Sequence, residues 1–76
     1  MLRCGDGSLY TGIAKNLDKR LAQHRSGSAS RYTRSRLPVA LVWSMEIDSW
    51  GDALREEIRI KALPRTAKEA LVSGKL

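Results

Sequence analysis

Met1-Leu2-Arg3-Cys4-Gly5-Asp6-Gly7-Ser8-Leu9-Tyr10-Thr11-Gly12-Ile13 opens the chain, and its reading decides the fold class. Gly5 to Ser8 form a tight-turn cluster, with the apolar Met1, Leu2 and Cys4 before it and Leu9 to Ile13 after it. Two short strands around a glycine turn predict a β-hairpin. Its first strand is brief, with only a few residues ahead of the turn. Next, Asn16 can cap a helix from Leu17 to about Arg25, which Ser26-Gly27 stops. The stretch from Ser26 to Arg36 is polar, basic and loop-like, able to hold one helical turn around Tyr32. Pro38 opens the apolar, β-favouring run Val39-Ala40-Leu41-Val42-Trp43, expected to be the central strand of a sheet. Ser49 with Asp52 resembles a capping box ahead of a helix from Trp50 to Leu63. Pro64 ends that helix or starts the next, and Thr66 to Val72 reads as a short final helix before Gly74. The order β-β-α-β-α-α predicts a small α+β domain, a short three-stranded antiparallel or mixed sheet flanked by helices.

With 76 residues the chain makes one domain with a thin core, since one this short buries only about 60% of its unfolded surface. The single cysteine, Cys4, excludes an internal disulfide framework, fits a reducing compartment and reads as a small core residue. No apolar run reaches the length of a membrane span and Met1-Leu2-Arg3 begins no secretory signal, so a cytoplasmic location is expected. The net charge of +6 is unevenly placed. Residues 1–38 carry eight basic side chains against two acidic ones, while the remainder balances six against six. A basic half beside a neutral one is the electrostatic footprint of a polyanion-binding face, with nucleic acid the leading partner. No basic amphipathic helix with a broad apolar face argues for a membrane surface.

Glu57 stands out within the Trp50–Leu63 helix. At about 100° per residue, Trp50, Ala53, Leu54, Ile58 and Ile60 gather on one stripe with Glu57 in its middle. Glu56, Arg55, Arg59 and Leu63 face the other way. A carboxylate on an apolar face costs stability unless a partner, a metal or a task keeps it there. Lys61, one turn on, offers the structural alternative of an i,i+4 ion pair. The first helix repeats the pattern. With Leu17 and Leu21 marking its buried face, Arg20 and His24 flank that stripe, one turn apart. Together they suit an anion site; otherwise Arg20 snorkels along apolar surface and His24 hydrogen-bonds locally.

Tyr10, Arg20, His24 and Glu57 are therefore the candidates for chemistry. The sequence holds no serine–histidine–acid set, no cysteine or histidine cluster spaced for zinc and no glycine-rich phosphate loop. What remains is compatible with phosphodiester cleavage assisted by one hard cation. A single carboxylate can hold Mg²⁺ with water completing its shell. Arginine neutralises developing phosphorane charge in bidentate fashion. A tyrosine beside cations can have its pKa of about 10 drawn toward use as a base.

The run Leu9-Tyr10-Thr11-Gly12-Ile13-Ala14-Lys15-Asn16-Leu17, followed by Arg20-Leu21 and His24, closely resembles the second half of the GIY-YIG nuclease signature. Tyr10-Thr11-Gly12 stands at the YIG element, Arg20 at the family's catalytic arginine, and His24 at a position usually held by His or Tyr. Ala53-Leu54-Arg55-Glu56-Glu57 and then Lys61 look like the family's later helix, with Glu57 at its metal-binding glutamate. Arg31-Tyr32-Thr33-Arg34 and Pro38 to Trp43 are similar to the linking segment of its short, stand-alone bacterial members. The likeness spans essentially the whole chain. One departure stands at the start: the family's GIY strand would lie just before Met1-Leu2-Arg3-Cys4. The expectation is a sheet lacking part of an edge strand, from an internal start or a degenerate member.

The resemblance implies a mechanism in which Tyr10 activates a water, directly or through His24. Arg20 would stabilise the pentavalent phosphate, and Glu57 would ligate one Mg²⁺ or Mn²⁺. Relatives in that family include homing endonucleases, the incision subunit of bacterial excision DNA repair, and junction-resolving nucleases. Lys15, Lys19, Arg31, Arg34 and Arg36 are the expected phosphate contacts, with Tyr32 able to stack on a base or sugar. Nothing resembles a sequence-reading helix, so the expected substrate is DNA chosen by shape, such as branches, flaps or single-strand junctions. The alternatives are a catalytically inactive nucleic-acid-binding module and, behind it, a purely structural or protein-interaction role.

Overall fold

The computed structural model describes residues 1–74. Their elements are β1 (Leu2–Arg3), β2 (Leu9–Tyr10), α1 (Leu17–Arg25), α2 (Arg31–Arg34), β3 (Ala40–Leu41), α3 (Trp50–Lys61) and α4 (Arg65–Val72). This is the expected α+β arrangement, with the helical turn around Tyr32 formed as α2. Side-chain caps start three of the helices, as their local sequences dictate. Asn16 Oδ1 accepts from Lys19 N at 3.1 Å, Ser30 Oγ from Tyr32 N at 3.1 Å, and Ser49 Oγ from Asp52 N at 3.0 Å.

The sheet order is β2-β1-β3, antiparallel throughout, with Leu2 opposite both Tyr10 and Leu41. The central strand is therefore β1. The expectation that 39–43 would be central, and that the opening strand would be an edge, is corrected by this pairing. The physical reason lies in burial. Leu2 and Cys4 of the opening segment are in the core, whereas of the apolar run only Val39 is buried, and Ala40 and Leu41 are exposed. A run of β-formers reports strand propensity; it does not report which edges are paired. Leu2, Cys4 and Val39 form the core cluster, with Tyr10, Leu21 and Tyr32 packed against it.

The turn between β1 and β2 is held by Cys4 N donating to Ser8 O at 2.8 Å and by Asp6 Oδ1, which accepts from Ser8 N and Ser8 Oγ. Gly7 adopts φ of 85°, in the left-handed region where glycine carries no Cβ penalty. From outside, Gly5 N donates to Arg36 O at 2.6 Å, and Arg36 Nε pairs with Asp6 Oδ2 at 2.9 Å, tying the turn to the end of α2.

Helix α3 turns a different face inward from the one its periodicity suggested. Ile60 is buried and Ala53, Glu56, Glu57 and Leu63 are half-buried, while Trp50, Leu54 and Ile58 are exposed, Ile58 by 69%. The helix is rolled so that Ala53 and Ile60 centre the buried stripe, with Glu57 on one flank and Glu56 and Leu63 on the other. In α1 a similar correction applies. Leu17 is exposed, Leu21 is half-buried, and His24 is the buried residue of the helix. A hydrophobic stripe wider than the contact leaves its orientation to the partner surface.

Helix α4 is pinned to the hairpin by charge. Arg3 Nη1 and Nη2 reach the Glu69 carboxylate at 2.8 and 2.5 Å, and Arg65 Nη2 donates both to Glu69 Oε2 at 3.2 Å and to Gly7 O at 2.8 Å. Hydrogen bonding from Arg3 first, then from Arg65, lowers the Glu69 carboxyl from an ordinary 4.5 to about 2. A carboxylate with a depressed folded-state pKa contributes stability above its unfolded pKa and loses it as pH falls through the folded one. Denaturant titrations of the protein and its Glu69→Gln variant are expected to diverge at neutral pH. They should converge as the pH drops from 4.5 toward 2. Parallel pH profiles would mean that the Arg3–Glu69–Arg65 cluster adds nothing to the fold.

Candidate active site

Tyr10, Arg20, His24 and Glu57 come from β2, two turns of α1, and α3, and all four line one cleft of about 660 Å³. Lys15 and Lys19 line it as well, so four of the five charged or imidazole side chains on its wall are basic or imidazole and one is acidic. The cleft is bounded by the loop from Gly12 to Asn16, which carries the chain from β2 into α1. Gly12 fits closely there. A Cβ on it would stand 3.3 Å from Tyr10 Cε1, so the bare backbone lets the tyrosine ring lie against its own loop.

The Tyr10 ring is the hub of an aromatic group. Its centroid is 5.3 Å from that of His24, tilted by 59°, and 5.8 Å from that of Tyr32 in a stacked arrangement. His24 is 5% exposed and its Nδ1 lies 2.9 Å from the hydroxyl of Thr33, itself fully buried. Burial first, and the nearby Arg20 charge second, push the His24 imidazole below its ordinary pKa. At neutral pH the ring is therefore uncharged and able to accept a proton. Arg20 is exposed, and its one side-chain hydrogen bond among the described residues is a long 3.4 Å contact to Gln23 Oε1. Arg20 also lines the cleft.

Glu57 sits at the wall between this cleft and a second one of about 700 Å³, which Glu46, Asp48 and Glu56 also line. Its side chain is 20% exposed, and Lys61 Nζ lies 3.6 Å from Oε2, the ion pair anticipated from the i,i+4 spacing. Glu56 instead pairs with Arg59 and faces only the second cleft. No group of three or more His, Cys, Asp or Glu side chains converges to hold a metal among the described residues. A lone, half-buried carboxylate opening into a wet cleft fits a hard divalent cation that keeps most of its water shell, and it does not fit zinc.

The expected phosphate contacts divide into groups. Lys15 and Lys19 border the cleft beside Arg20, and Arg31 and Arg34 are exposed on α2, outside it. Arg36 is engaged within the protein, bonded to Asp6 and Tyr32 O and lying 3.9 Å over the Tyr32 ring. Tyr32 is thus stacked within the molecule, and a nucleotide stacking on the Arg36 side would have to displace that guanidinium. Two further residues shape the cleft and had no signal in the sequence. Trp50 forms part of its wall, with Lys15 Nζ 5.3 Å from the ring centroid, and Thr33 supports His24 from behind. Trp50 looked like a core residue by periodicity, and Thr33 sat in a stretch read as loop.

The same segments carry the relationship to known proteins. The family model of the GIY-YIG catalytic domain matches residues 1–70, and the chain belongs to the GIY-YIG family. Among curated proteins it is 44% identical over 71 residues to a UPF0213 protein of Halobacterium salinarum, covering 93% of this chain and 92% of that one. It is 42% identical to a UPF0213 protein of Staphylococcus saprophyticus (96% and 89% covered) and 43% identical to one of Vibrio cholerae (97% and 74% covered). No solved structure matches the chain. Family membership makes this a nuclease-type domain directed at nucleic acid, in a family whose members generally use divalent metal ions. No helix among the described residues is long and apolar enough to cross a membrane.

Proposed function

We propose that the protein is a Mg²⁺- or Mn²⁺-dependent endonuclease that hydrolyses DNA phosphodiester bonds and selects its substrate by shape. The observation that carries this reading is the meeting of Tyr10, Arg20, His24 and Glu57 in one cleft from three separate elements. Arg20 binds the scissile phosphate and offsets the charge that builds on its non-bridging oxygens. The Tyr10 phenol passes its own proton to the neutral His24 ring as it takes the proton of the attacking water. The water oxygen bonds to phosphorus, the bond to the leaving sugar oxygen breaks, and that oxygen takes up a proton from solvent, so a phosphomonoester and an alcohol result. Glu57 would hold the divalent ion, which supplies positive charge at the leaving oxygen when bound. Lys15 and Lys19 guide the backbone into the cleft, and the acidic neighbouring groove repels it.

The test is cleavage of labelled duplex, flap and branched DNA with Mg²⁺ or Mn²⁺, against the same reactions in chelator. Metal-dependent nicking, strongest on a branched substrate, supports the proposal. A folded protein that binds DNA in a salt-sensitive way and cuts none of the substrates would make it a binding module instead. Binding itself makes a separate prediction. If Arg31 and Arg34 each contact a phosphate, the Arg31→Ala/Arg34→Ala variant should reduce the slope of log K against log salt by about 1.8 on duplex DNA. An unchanged slope in fluorescence-anisotropy titrations would remove α2 from the interface.

A further inference from the structure

We infer that Thr33 is a positioning residue that holds His24 in its Nδ1–H tautomer and so reserves Nε2 as a proton acceptor for the cleft. The inference rests on the nuclease reading for its catalytic consequence, and on hydrogen-bond geometry for the tautomer. Thr33 is fully buried, and its Oγ1 touches two partners, His24 Nδ1 at 2.9 Å and the carbonyl oxygen of Ser30 at 3.4 Å. A threonine hydroxyl has one proton to give and lone pairs to receive with. The Ser30 carbonyl can only accept, so using both contacts requires the hydroxyl to donate to Ser30 and to accept from His24. Nδ1 then carries the hydrogen. The opposite tautomer spends the hydroxyl proton on Nδ1 and leaves the contact to Ser30 without a hydrogen, one bond fewer in a site closed to water.

The other ring nitrogen completes the argument. No buried side-chain nitrogen or oxygen lacks a hydrogen-bond partner among the described residues, and the His24 side chain makes its hydrogen bond through Nδ1. Nε2 therefore keeps access to solvent on a residue that is otherwise enclosed and lines the cleft. A neutral ring with hydrogen on Nδ1 presents a lone pair at Nε2. The other tautomer would present a donor there, unable to take a proton from Tyr10 or from water. The order is Ser30 carbonyl, Thr33 hydroxyl, His24 imidazole, cleft; each member fixes the next, as outer partners do for metal-bound histidines. Ser30 is also the N-cap of α2 and α2 carries Thr33, so the capped start of the short helix places the threonine.

His24 is the chain's one histidine, so its imidazole nitrogens can be read without assignment by long-range ¹H–¹⁵N correlation on uniformly labelled protein above the ring's pKa. The expected pattern is a pyrrole-like Nδ1 and a pyridine-like Nε2. Thr33→Val, which keeps the shape and removes the hydroxyl, should shift the ring toward the Nε2–H form, and Thr33→Ser should retain the wild-type pattern. In cleavage assays kcat should fall about 10- to 100-fold in Thr33→Val with KM nearly unchanged, and recover in Thr33→Ser. A protonated Nε2 in the unmodified protein would overturn the tautomer assignment, even if Thr33→Val failed to fold. Wild-type kcat in a folded Thr33→Val whose tautomer had reversed would overturn the positioning role. The assigned tautomer in a protein that cuts no DNA would count against the nuclease reading alone.

Discussion

Glu57→Gln is expected to lower metal-dependent cleavage by roughly 10³-fold or more while leaving the domain as stable as before. The two halves of this expectation have separate causes. Glutamine keeps the size of the side chain and loses the charge that would hold a divalent ion, and such an ion supplies several kcal/mol to the transition state, with each tenfold in rate equal to about 1.4 kcal/mol. The structural role of Glu57 is small by comparison: its link to Lys61 is a 3.6 Å contact with a 55%-exposed lysine, and pairs of this kind contribute about 0.3–0.5 kcal/mol. DNA binding in chelator should be retained, since a negative charge leaves a basic cleft. Glu56→Gln is the matched control. Glu56 is next in sequence, pairs with Arg59 and lines only the neighbouring groove, so its loss should leave cleavage unchanged. Single-turnover assays across Mg²⁺ concentrations, with thermal melts of each variant, check both. Equal losses in the two variants would refute the assignment of Glu57 as the metal-holding carboxylate.

Gly5→Ala is expected to be the most damaging single methyl in the molecule. A Cβ at this position would stand 2.5 Å from the carbonyl oxygen of Leu37, 2.9 Å from its carbon and 3.1 Å from the carbonyl oxygen of Arg36. All three are backbone atoms, so no rotamer change relieves the clash. The Gly5 N–H bond to Arg36 O is lost if the turn and the segment after α2 separate to make room. Overpacking alone costs about 1–3 kcal/mol, and a broken hydrogen bond adds about 0.5–1.5 more. Small domains have about 5–15 kcal/mol in total. At about 4–8 °C per kcal/mol for a chain this size, the melting temperature should fall by at least about 6 °C. Gly7→Ala makes the useful contrast. Its φ is +85° but nothing lies within 4 Å of the added carbon, so only a backbone strain of about 1–2 kcal/mol applies. Circular-dichroism melts should rank the two clearly, Gly5→Ala below Gly7→Ala. The reverse order would mean that the turn can move away from the α2–β3 segment at little cost.

Local signals were legible in the sequence because their physics is local. The glycine turn, the caps at Asn16 and Ser49, the stop after Arg25 and the ion pair at Glu57–Lys61 each depend on residues within four positions of one another. The motif residues Tyr10, Arg20, His24 and Glu57 were also nameable, through their spacing and family resemblance. Much of what surrounds them was not. Thr33 lies nine positions beyond His24, in a stretch whose polarity reads as loop, and only the packing of α2 on α1 closes that hydrogen bond. Trp50 matched the apolar period of its helix, yet it borders the cleft with Lys15 against its ring.

By itself, then, the sequence determined an α+β class, the helix and strand segments to within a residue or two at most ends, a basic first half and membership of a nuclease family. Propensity, capping and charge are properties of short segments, and those carry over into any tertiary context. Only the tertiary structure decided that β1 is the centre of the sheet, that α3 is rolled toward Ala53 and Ile60, and that Arg36 serves the fold. It also decided that His24 is buried against a threonine. Each of these depends on which surfaces meet over long sequence separations, where a stripe or strand has several acceptable partners and the choice among them is made by the packing of the whole domain.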